Sequence, residues 1–65
     1  MFNLIALKSI MAEQKIAIKT LAARAEVDYN TLVKILNAKR TPTLVTIGKL
    51  AAALNISPKE LLKEV

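Results

Sequence analysis

Apolar residues recur along this chain at the i, i+3, i+4 spacing of a helix that buries one face. Leu4, Leu7, Ile10 and Met11, with Ile5 alongside, predict a first helix over 3–13, and Asn3 is suited to cap it. Gln14-Lys15 should end it, and Ile16 should pack back on the core. Ile18, Leu21, Ala22 and Ala25 then share a face of a short second helix whose outer side holds Lys19, Thr20, Ala23 and Arg24. A break near Glu26 follows, with Val27 buried and Asp28 as the next cap, where a carboxylate suits the positive end of the helix dipole.

The third helix, 28–37, divides cleanly. Asp28, Thr31, Leu32, Ile35 and Leu36 fall on one side. Tyr29, Asn30, Val33, Lys34 and Asn37 fall on the other, within an arc of about 140° at 100° per residue. Asn37-Ala38-Lys39-Arg40-Thr41-Pro42 is a polar, basic loop closed by proline. Thr43 caps a fourth helix with a buried stripe of Leu44, Ile47, Leu50, Ala51 and Leu54, and Asn55 suits its left-handed end. Ser57 and Pro58 open a short fifth helix over Lys59 to Glu64, carrying Leu61 and Leu62. With short connections and no strand pattern, the reading is one all-α domain over 1–65, a compact five-helix bundle.

A second apolar stripe complicates the fourth helix. Val45, Gly48 and Ala52 sit together away from the core stripe. They fit contact with a second copy, as do Leu62 and Val65, and they fit equally well packing on the fifth helix or the N-terminus. Gly48 inside a helix costs about 1 kcal/mol relative to Ala, which suggests a close packing partner there.

Composition removes several classes of function. There is no cysteine and no histidine, so disulfides and thiolate or imidazole metal sites are excluded. The five carboxylates are scattered, and no nucleophile–base pair can be assembled from spacing. An enzyme is not expected, nor a cofactor, nor a small-molecule ligand. Met1 to Leu7 is apolar but is interrupted by Lys8 and Ser9, far too short to span a bilayer and with no basic leader. A cytoplasmic protein without a membrane partner is expected.

Charge adds the main clue. Residues 15–49 carry Lys15, Lys19, Arg24, Lys34, Lys39, Arg40 and Lys49 against Glu26 and Asp28, which is the whole net charge of +5. The remainder balances three lysines against three glutamates. A polyanionic partner follows from that concentration around the third helix. The outer face of that helix holds a phenol, two carboxamides, one cation and one β-branched group, a set able to meet base edges and a thymine methyl. A solvated face would look the same in isolation.

With all five helices in register, the chain resembles the lambda repressor/Cro-like helix-turn-helix family from about Leu4 to Leu62. The resemblance is carried by Leu7-Lys8, then Leu21-Ala22 with Val27 and Leu32, then Asn37 to Thr43 in place of the family's Asn-Gly-basic-basic-x-Pro-Ser/Thr stretch. Thr46-Ile47, Leu50-Ala51, Ala53-Leu54 and Ile56-Ser57-Pro58 complete it. The chain departs from the pattern at Lys15, Glu26, Ala38 and Asn55, where the family often has Gly. It departs again at Ala17 and Ile18, which replace a Ser/Thr cap and a backbone-contacting Gln. Ile18 shares the buried stripe, so packing is expected of it instead.

The resemblance implies a second helix across the phosphate backbone and a third in the major groove of double-stranded DNA. Tyr29, Asn30, Val33 and Lys34 would then face bases. Asn37, Lys39, Arg40, Thr43 and Lys19 would hold phosphates. Asn37 and Thr43 serve equally well as caps, and Lys39-Arg40 could simply keep a loop soluble. A transcriptional regulator such as a phage repressor or Cro protein, acting as a homodimer on a palindromic operator, is the leading expectation. An antitoxin, the N-terminal domain of a larger repressor, and a protein-interaction module without DNA are the alternatives.

Overall fold

The computed structural model describes residues 1–63. They form α1 (Leu4–Gln14), α2 (Ile18–Ala25), α3 (Tyr29–Leu36) and α4 (Leu44–Leu54), followed by one 3₁₀ turn over Pro58–Leu61. Three of the four α-helices start on a side-chain cap. Asn3 Oδ1 accepts from the Ala6 N–H at 3.1 Å, Asp28 Oδ2 from Thr31 at 3.2 Å, and Thr43 Oγ1 from Thr46 at 3.2 Å. Each oxygen satisfies an amide that the helix itself leaves unpaired. Ala17 precedes α2 with no side-chain cap.

All four helices end in the same way. Lys15, Glu26, Ala38 and Asn55 adopt left-handed φ of 54°, 56°, 60° and 58°. The next residue in each case donates its amide back across the last turn: Ile16 to Met11, Val27 to Ala22, Lys39 to Lys34 and Ile56 to Ala51. Ile16, Val27 and Ile56 pack against the core, as this reversal favours. Lys39 occupies the same place after α3 and is exposed.

None of these left-handed positions is glycine, so each carries strain. A non-glycine residue there costs roughly 1–2 kcal/mol, and glycine returns about half of that as extra unfolded-chain entropy. Lys15→Gly, Glu26→Gly and Ala38→Gly are therefore each expected to stabilise by about 0.5–1 kcal/mol, read as a higher urea midpoint at unchanged slope. Asn55→Gly should do less, because Asn tolerates this region. Destabilisation by Glu26→Gly would show that its side chain makes a contact worth more than the strain.

Leu7, Leu21, Leu32, Ile35, Leu50, Leu54 and Leu61 are fully buried and form an aliphatic core. Helix α2 packs on α3 and α4, α4 on the 3₁₀ turn, and α1 on that turn and α3. Gln14 Nε2 donates to the Leu54 carbonyl at 2.7 Å and ties the ends of α1 and α4 together. The chain's start is stitched to its last described residues. Asn3 donates to the Leu61 carbonyl at 2.7 Å, Lys63 to Met1 at 2.6 Å, and Phe2 bridges Leu62 antiparallel.

Several expectations need correction. The fifth helix is a single 3₁₀ turn, after which Leu62 is extended. Its Ser57–Glu60 capping box and Pro58 set the start, but Leu61 is drawn fully into the core and Leu62 into the bridge with Phe2. Asp28 does not face inward; it is the exposed cap of α3. Ile5, placed beside the α1 stripe, is 72% exposed, and Leu44, placed in the α4 core stripe, is 77% exposed. Leu44 stands about 40° from Gly48 around the helix, at the edge of the buried arc, and buried Pro42 lies just ahead of it. Gly48 has no close packing partner among the described residues, since a Cβ added there would meet nothing within 4 Å. Val65 lies outside the described residues.

Candidate nucleic-acid interface

Leu32 and Ile35 decide which way α3 faces. Both are buried, and they turn the opposite arc of the helix to solvent. On that arc Tyr29, Asn30, Lys34 and Asn37 are exposed and Val33 is half-buried between them. The five residues form one continuous surface two turns long, without a carboxylate. Tyr29 is 44% exposed, enough to present its phenol to a partner. Thr31, on the inward side, is half-buried and uses its amide for the cap.

The basic loop continues that surface. Asn37 takes the cap position at the end of α3 (φ −92°, ψ 10°), and its N–H bonds to the Val33 carbonyl at 3.0 Å, leaving its exposed side chain free to point outward. Ala38 then reverses the chain. Lys39, Arg40 and Thr41 are exposed before Pro42 re-enters the core. Three equivalent reversals spend the position of Lys39 on an apolar anchor, so a cation there is a departure that the core does not need.

Thr43 is less free. Its oxygen caps α4 and lies 3.1 Å from the Thr46 hydroxyl. A phosphate here would meet the Thr43 hydroxyl hydrogen and the first-turn amides of α4, an arrangement that favours anions.

Lys19 is exposed on α2 among its first-turn residues, and α2 packs directly on α3. Ile18, by contrast, is half-buried against the core, so its position supplies packing and no polar contact. Arg24 sits in the last turn of α2, where a cation complements the negative helix end.

The α4 stripe is open. Val45 is 69% exposed, Ala52 is exposed, Gly48 faces space, and Leu44 joins them. Sequence reasoning placed Leu44 in the core because its spacing to Ile47 and Ala51 fits that stripe. Nothing in the spacing distinguishes the two edges of the helix. Leu62 is half-buried and packs against the core, with part of its side chain exposed.

Among the described residues no cluster of three or more His, Cys, Asp or Glu could hold a metal ion, and no helix is long and apolar enough to cross a membrane.

The model of a family described as the Cro/C1-type HTH DNA-binding domain matches residues 6–65. Among solved structures, the chain is similar to the restriction-modification controller protein C.AhdI from Aeromonas hydrophila. That match has 32% identity and a TM-score of 0.83, over 88% of this chain and 86% of that one. No curated protein sequence matches.

Proposed function

The chain belongs to the Cro/C1-type helix-turn-helix DNA-binding family, and from that premise we propose that it is a transcriptional regulator binding double-stranded DNA sequence-specifically as a twofold dimer. The observation that carries the reading is the α3 surface: five exposed or half-exposed residues without a carboxylate, continuous with the Lys39-Arg40 loop. Helix α3 would enter the major groove and α2 would lie across the backbone. Asn30 would pair with adenine, Lys34 would donate to guanine O6/N7, and Val33 would pack on a thymine methyl. Tyr29 would stack or reach a phosphate. Lys39, Arg40, Asn37, Lys19 and the Thr43 end of α4 would hold the backbone and fix the register.

The likeness to C.AhdI, a controller protein, favours this regulatory role over a protein-interaction module, and so does the charge concentrated in 15–49. A repressor or Cro-like action at a palindromic site is the specific form proposed.

Division of labour gives the test. Asn30→Ala or Lys34→Ala should cost about 1–3 kcal/mol on a selected operator and relax preference at one base position. Lys39→Ala should weaken all sequences alike and flatten the salt slope by about one. Sites selected from a random duplex pool, then measured by anisotropy, supply both readings. Were Lys39→Ala to alter base preference while Lys34→Ala left it intact, α3 would not be the reader.

A further inference from the structure

Behind the α3–α4 loop lies a half-open recess of about 340 Å³. It is lined by Met1, Phe2 and Leu4 from the first residues, by Ile35 of α3, and by Ala38, Arg40 and Thr41 of the loop that follows. Its size falls at the lower end of the range for small-molecule sites, about 300–1,000 Å³. The walls are held by backbone bonds. Asn3 and Met1 are tied to Leu61 and Lys63, and Ala38 is fixed by the reversal that ends α3.

The lining is mostly apolar, its polar side chains being the Thr41 hydroxyl and the Arg40 guanidinium, and among the described residues it includes no carboxylate. Arg40 is exposed, so its head can turn toward the mouth while its stem lines the wall. We propose that this recess binds a small amphipathic carboxylate, its compact apolar body against Phe2, Leu4 and Ile35 and its head group in the fork of Arg40. A guanidinium recognises a carboxylate through two parallel N–H···O bonds, and the apolar lining takes up the body of the ligand. Residues 1–4 and 35–41 meet only through the fold, which is why spacing along the chain indicated no such ligand.

The site has a consequence that rests on the DNA reading above. A carboxylate in the fork of Arg40 takes up the charge and the paired N–H groups that a phosphate would use, so the ligand should weaken duplex binding.

Octanoate is the probe, titrated at constant ionic strength into the protein without DNA and followed by backbone amide NMR. Shifts should gather at Phe2, Leu4, Ile35, Ala38 and Arg40, with a Kd on the order of 1 mM for so small a ligand. Octanol should bind about tenfold more weakly, and Arg40→Gln, a change on an exposed loop, should abolish that preference. Absence of shifts, equal binding of octanol, or shifts gathered instead on the Leu44–Val45 face would each overturn the site. In a second arm octanoate should weaken duplex binding several-fold in the wild type and leave Arg40→Gln unaffected. Amide shifts without that response would retain the recess and overturn the coupling. A protein that binds no duplex at all would remove the DNA reading and leave the recess to be judged by the first arm.

Discussion

Raising salt from 50 to 200 mM is expected to weaken duplex binding by about 10²–10⁴-fold, the yield of about four to eight phosphates neutralised per dimer. The whole net charge of +5 lies in residues 15–49, and the exposed cations there include Lys19, Lys34, Lys39 and Arg40. Each lysine or arginine that meets a phosphate releases a condensed counterion, and the entropy of that release falls as bulk salt rises. Two protomers, each using two to four such contacts, give the stated range. No buried polar or charged residue and no unpartnered buried side-chain polar atom occurs among the described residues, so the fold itself does not depend on internal charge. Salt should therefore act on binding and leave stability nearly unchanged. Anisotropy with a labelled duplex across that range measures the slope, and circular dichroism at the same salts checks the fold. A flat log–log plot with intact helicity would remove nucleic acid as the partner.

The positions of helices and caps were legible because they depend on local rules. Asn3, Asp28 and Thr43 each precede an apolar-periodic segment, and each does cap it. The left-handed helix ends were legible through the family resemblance instead: Lys15, Glu26, Ala38 and Asn55 occupy the places where the family often has Gly, and all four are left-handed. Periodicity alone could not find where the buried arc of α4 stops. Leu44 lies between the arc of Ile47 and Ala51 and the open side of Gly48, and only the position of its neighbours decides. The last helix failed for a different reason. Burying Leu61 and pairing Leu62 with Phe2 draws this segment into an extended form after one 3₁₀ turn, which the spacing of its two leucines does not reveal. That pairing, and the recess beside it, joins the two ends of the chain, a relation that no window along the sequence contains.

Val45→Glu and Val45→Lys are both expected to lower affinity for a two-half-site operator by about 10²-fold or more, because each should separate the dimer that joins two weak contacts into one strong one. Leu44, Val45, Gly48 and Ala52 form an apolar face of α4 that is left open among the described residues. A second copy related by a twofold axis would bring the same face against itself. Gly48 and Ala52 would let the two backbones approach, and Leu44 and Val45 would flank them. A charge at position 45 would then meet its own copy across the axis, desolvated and of like sign. The pair of variants separates this from simple electrostatics. If position 45 merely lies near DNA, Lys should strengthen binding and Glu weaken it; if it lies between protomers, both weaken it. Gly48→Ala adds an independent sign. With nothing within 4 Å of the added methyl, it should stabilise the isolated domain by about 1 kcal/mol through helix propensity. The same methyl should hinder self-association if a second backbone rests there. Sedimentation equilibrium reads association and urea denaturation reads stability. A Gly48→Ala protein that is more stable and associates as well as wild type would move the interface off this face, and a wild type that binds one half-site one-to-one at full affinity would dispose of the dimer.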